Sequence, residues 1–161
     1  AKRAELDRIR TWENPVPGSR YDVVGDTARN PHVLRGEPTL LDVEDLRAPL
    51  PGYGTWLGPN RWRLSWLSLL DWPIGVVYEG IDTQREYVVR TTGRGESLLK
   101  INGARVQPAR YDKELGGIKE FPVPRAAVAT GKITLTWDAP DEAHLNWRHR
   151  SFLSEVWLLP R

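Results

Sequence analysis

The chain has 161 residues, 40% of them hydrophobic and 27% charged, with a formal net charge of +2. That length fits one domain with a real core, no run approaches the roughly 18 apolar residues of a membrane span, and so small a positive excess argues against a protein that coats nucleic acid. Cysteine is absent, which excludes disulfides, zinc-thiolate sites and thiol nucleophiles.

Helix formers open the chain in AKRAELDRIRTW, with Leu6, Ile9 and Trp12 at helical spacing, so residues 1–18 read as a short amphipathic helix or a charged linker. ENPVPGS ends it, because Pro15 and Pro17 cannot continue a helix and Gly18 frees the backbone to turn. Residues 19–161 then read as one β-rich module. From Arg20 to Pro51 only Tyr21 to Val24 and His32 to Leu34 have strand character, and the rest reads as ordered loop. NRWRLSWLSLLDWP, residues 60–73, fits both a strand and a helix period. The arginines alternating with Trp62 and Leu64 favour a strand over 61–67, with Trp62 and Trp66 on its core side.

Beyond Trp72 the pattern is regular. VVYEG (76–80), EYVVRTT (86–92), SLLKING (97–103), ARVQPAR (104–110), GIKEFPVP (117–124), KITLTWD (132–138) and SEVWLLP (154–160) are short, rich in β-branched and aromatic residues, and separated by turn residues. Such spacing predicts an all-β antiparallel sandwich. Asn102-Gly103 is a two-residue hairpin signal, and Ile133, Leu135 and Trp137 alternate with polar residues as in a strand with one wet face.

The succession YEGIDTQREYVVRTTG, LLKINGARVQP, FPVPRAAVATGKITLTW and SEVWLLP, over about residues 74–160, resembles the galactose-binding-like jelly-roll modules. These include malectin-like domains and carbohydrate-binding modules attached to large bacterial polysaccharide-degrading proteins. The resemblance implies a jelly-roll sandwich whose task is to hold a catalytic partner on its glycan. It rests on scaffold motifs and transfers no ligand-binding residue. Modules of this kind often hold a structural calcium ion between an early loop and the last strands, and Asp22, Asp26 and Glu155 are the acids that would supply its oxygens.

Two clusters suit a sugar ring, whose C–H face packs on indole while its hydroxyls or carboxylate take fixed donors. One comprises Tyr53 and Trp56, in the Pro/Gly loop GYGTWLGPN, with Arg61 beyond it. The other is HLNWRHRSF, residues 144–152, which sets Trp147 among Arg148, His149 and Arg150 in the last long loop; arginine forks there would engage an acidic sugar. No two carboxylates are paired by the sequence for glycoside hydrolysis, and the three histidines lack metal-ligand spacing. A lyase-like pairing of His149 or His32 with Tyr21 or Tyr53 is the strongest catalytic alternative.

The expected function is therefore a non-catalytic carbohydrate-binding module, with a polysaccharide or oligosaccharide and the catalytic domain of a parent chain as partners. Its expected setting is a secreted or periplasmic bacterial protein. With methionine absent and no signal peptide at its start, the chain reads as a domain of that larger protein. The rival expectations are an interaction sandwich packed on a catalytic domain, and a small polysaccharide hydrolase or lyase.

Overall fold

The computed structural model describes residues 1–26, 28–34, 66–70, 74–146 and 149–161. Helix α1, Lys2–Glu13, is followed by β1 (Arg20–Val23), β2 (Leu67–Ser68), β3 (Gly75–Tyr78), β4 (Tyr87–Arg94), β5 (Leu99–Ile101), β6 (Ala104–Arg105), β7 (Arg110–Tyr111), β8 (Ile118–Pro122), the single-turn helix α2 (Arg125–Val128), β9 (Ile133–Trp137) and β10 (Phe152–Pro160). All strand pairings are antiparallel. One sheet runs β1-β10-β4-β8-β7, with β2 also on β10, and the other runs β3-β9-β5-β6. The two sheets pack face to face as an all-β sandwich, as the regular short strands predict.

The inward residues alternate along each strand: Val76 and Tyr78 from β3, Leu99 and Ile101 from β5, Ile133 and Leu135 from β9, Tyr87 and Val89 from β4, and Val156 and Leu158 from β10. Trp137 is half-buried at the edge of this core. Between β5 and β6, Asn102 (φ 50°) and Gly103 (φ 82°) form the expected tight hairpin, a conformation open to those two residue types. The run 104–110, read as one strand, is divided: its first two residues pair with β5 and its end, Arg110, begins β7 of the other sheet. Helix α2 within FPVPRAAVA was not expected. Pro124 precedes it, as suits a first turn.

β10 lies between β1 and β4 and is buried along its whole length. Its register shifts between Leu153 and Glu155, a β-bulge that changes which residues face inward. Leu153, Val156 and Leu158 point into the sandwich, whereas Trp157 and Leu159 belong to a second apolar cluster with Val88, Trp12 and Tyr21 on the outer face. The partner at the bulge is Gly93; a β-carbon there would lie 2.1 Å from the Phe152 carbonyl oxygen.

Helix α1 covers that outer face. Trp12 meets Trp157 edge-on, with ring centroids 5.6 Å apart, and Ile9 is half-buried. Leu6, expected on the same stripe, is 53% exposed. Within NRWRLSWLSLLDWP, Leu67 and Ser68 pair with β10. Leu67 and Leu69, the positions that alternate with Trp66, join the sandwich core, whereas Trp66 is buried outside that cluster, stacked on Phe152 at 4.7 Å, so the expected orientation is not the one observed. Trp62 lies outside the described residues.

Candidate functional site

Antiparallel pairing puts the end of β1, the start of β3, the end of β4, the start of β5, the end of β7, the start of β8, the end of β9 and the start of β10 at the same end of the sandwich. The β1–β3, β4–β5, β7–β8 and β9–β10 connections therefore leave and re-enter at one rim. The connection holding Tyr53, Trp56 and Arg61 departs from Leu34, whose N–H donates to Gly75, and returns at Trp66, stacked on Phe152. The connection holding Trp147, Arg148, His149 and Arg150 joins β9 to β10. Tyr53, Trp56, Arg61, Trp147 and Arg148 lie outside the described residues.

His149 is exposed and its N–H bonds the Asn146 carbonyl. Arg150 is half-buried and turned onto its own loop, donating through Nε to the Leu145 carbonyl at 3.1 Å. Its role in the described part is thus to brace the loop. Glu142 assists by accepting from the Ser151 N–H at 2.6 Å and from its hydroxyl, while that hydroxyl accepts the Glu96 N–H at 2.7 Å. The last long loop and the β4–β5 turn are tied to each other by these bonds.

A second group, inside the sandwich between β1 and β3, was missed as a unit. Asp22 of β1 points inward, fully buried, and accepts from the His32 backbone N–H at 2.9 Å and the Tyr78 hydroxyl at 3.3 Å. Its other contact is His32 Nδ1 at 2.9 Å. The His32 ring lies 4.8 Å from that of Tyr78. Burial raises the Asp22 carboxyl above its ordinary range despite these bonds, and burial beside Asp22 raises Tyr78 still further. Nδ1 is thereby occupied, leaving Nε2 as the nitrogen for a ligand. The sequence marks Asp22 and His32 individually, but Tyr78 carries no signal beyond being an inward strand position.

A third group surrounds Lys119, 2% exposed, whose ammonium stands 4.9 Å from the centre of the Tyr111 ring. Burial lowers its pKa to about 8, against the opposing pull of Glu96 and Asp112. The Tyr111 hydroxyl donates to Glu96 at 2.8 Å and is pushed up to about 12, chiefly by burial. Lys113 completes the group with a 3.0 Å bond to Glu96, whose pKa the two donors lower.

The acids expected around calcium are not brought together. Asp22 faces the sandwich interior. Glu155, displaced by the bulge to the opposite face of the same sheet, accepts from Thr92 Oγ1 at 2.7 Å, Trp12 Nε1 at 3.1 Å and the Tyr21 hydroxyl. Asp26 caps its own turn through the Ala28 N–H at 3.0 Å. Among the described residues no group of three or more His, Asp or Glu is placed to hold a metal ion. Tyr21 likewise faces away from His32, so the lyase-like pairing of these two is not formed.

Outside the rim, a cleft of about 490 Å³ lies beside α1, lined by Asp7, Arg8, Thr11, Trp12, Pro15 and Arg90. No described helix is long and apolar enough to cross a membrane. Comparison of the chain with protein families, curated proteins and solved structures finds no match.

Proposed function

We propose that this β-sandwich is a non-catalytic carbohydrate-binding module that holds a larger polysaccharide-active protein on its glycan. The observation supporting this reading is that the described ends of both connections whose sequences combine indole with arginine are anchored at one rim, on a scaffold braced by Arg150, Glu142 and the Asp22–His32 pair. Loops collected at one end of a rigid sandwich are a common way to build a binding surface. Tethering of this kind raises local substrate concentration without chemistry.

Affinity electrophoresis on neutral and uronic-acid polysaccharides tests the proposal. Retention is expected, and Trp147→Ala is expected to weaken it about tenfold, the effect of losing one stacking and burial contact of ~1.4 kcal/mol. Failure of the unmodified protein to be retained on any glycan would overturn the reading. That result would favour a sandwich packed on a catalytic domain, to which one observation also points: Trp12, Trp66, Trp137 and Trp157 are all buried or half-buried, and none offers a free platform.

A further inference from the structure

The opposite rim carries a different chemistry. There the turn before β4, the stretch after β8 and Arg161 frame a cleft of about 200 Å³, with Arg85, Arg125, Arg161 and Glu86 around a floor that includes Tyr87 and Val128. Backbone bonds fix the frame: the Arg161 N–H donates to the Glu86 carbonyl at 2.8 Å, and the Val123 N–H to that of Tyr87 at 3.0 Å. Arg125 is held by Nη1, which donates to the Gln84 and Arg85 carbonyls at 3.2 and 3.4 Å, so its Nε and Nη2 remain available. Neither Arg85 nor Arg161 has a side-chain hydrogen bond or ion pair among the described residues, and Glu86, which lines the same cleft, forms no direct ion pair with any of the three guanidinium groups.

Three like charges around one cleft repel each other, and an anion between them removes that cost. One guanidinium fork already satisfies the two oxygens of a carboxylate, whereas several forks match a group with three or more oxygens. The volume corresponds to roughly seven water molecules, enough for one such group and its remaining hydration and too little for a sugar chain. We infer that Arg85, Arg125 and Arg161 form a binding site for a tetrahedral oxyanion, sulfate or phosphate, free or carried as an ester projecting from a larger ligand. The inference is independent of glycan binding at the loop rim.

Titration with sodium sulfate and with sodium phosphate at low ionic strength, followed by backbone amide shifts and referenced to sodium chloride, tests it. The shifts are expected at residues 84–87, 123–126 and 161. Arg85→Gln and Arg161→Gln should each weaken binding about fivefold or more, and the double variant should respond as to chloride. Both side chains are free of structural bonds, so these variants keep the fold, which an unchanged melting temperature verifies. A sulfated oligosaccharide and its desulfated form separate the sources. Arginine-dependent binding of the sulfated form identifies an ester as ligand, and arginine-dependent binding of the inorganic ion alone identifies the free anion. Sulfate and phosphate binding no tighter than chloride, or binding indifferent to both substitutions, would overturn the site. With inorganic ions as the readout, failure here leaves glycan retention at the other rim standing, and the reverse holds too.

Discussion

Asp22 sits in the sandwich with no exposure and three polar contacts, and the balance of burial against those contacts sets its behaviour. Asp22→Ala strands the Tyr78 hydroxyl and the His32 N–H in the interior, so urea unfolding at pH 7 should show a loss of about 2–4 kcal/mol; Asp22→Asn, which still accepts, should lose less. Because burial raises the folded-state pKa, the folded protein binds this proton more tightly than the unfolded chain. Stability from this group is therefore present at low pH and declines as pH rises from the ordinary carboxylate range through the folded value, a decline absent in both variants.

Lys119 gives the opposite slope. Its folded-state value of about 8 lies below the lysine norm, so between the two the unfolded chain holds the proton more tightly and stability rises with pH. Lys119→Met should raise stability at pH 7 by at most about 3 kcal/mol and flatten the rise between about pH 8 and pH 10 relative to the unmodified protein. Equal slopes in the two proteins would show that the ammonium is solvated. Neither residue's environment is legible in the sequence. Period two puts Lys119 on the face of Phe121, but the opposite face offers apolar Ile118, so IKEFP leaves open which of the two faces turns inward.

The elements were more legible than the residues. Period-two alternation located most strands of the second half, because each has one face on the core, and Asn-Gly located a hairpin whose geometry only such residues adopt easily. What escaped were features that depend on partners distant in sequence. The bulge in β10 turns Glu155 outward, so a count along SEVWLLP cannot tell which acid faces a ligand loop and which lies under a helix. Helix α1 was legible as a helix, but its seat was not. Trp12 supplies that seat, and Trp12→Ala should cost about 2–4 kcal/mol and raise amide exchange along Lys2–Glu13 far more than along β9. Uniform protection of the helix in that variant would mean that Ile9 and the ion pair between Arg29 and Glu13 suffice to hold it.

At the scale of the whole molecule, the two rims are built differently. One anchors the ends of the two connections whose sequence suggested a ligand. The other carries the β3–β4 turn, the connection with helix α2 and arginines that the sequence spreads from Arg85 to Arg161. Composition could not reveal that cluster, since only the antiparallel return of β10 beside β4 brings the last of these residues back to the first.

The central place of β10 bears on how the protein comes into being. Tyr21 finds Glu155 across 134 positions of chain, and β1 has no other strand partner among the described residues. A ribosome would thus release almost the whole module before its larger sheet acquires a middle. Until then the edges of β1 and β4 are open templates for strands of other chains, and contacts of such sequence separation close slowly. Expression, and any dissection of this protein into fragments, therefore turns on the stretch from Ser151 to Pro160: a piece that ends before it keeps the β3-β9-β5-β6 sheet and the β4-β8-β7 ladder, but leaves β1 and β2 with no strand to join.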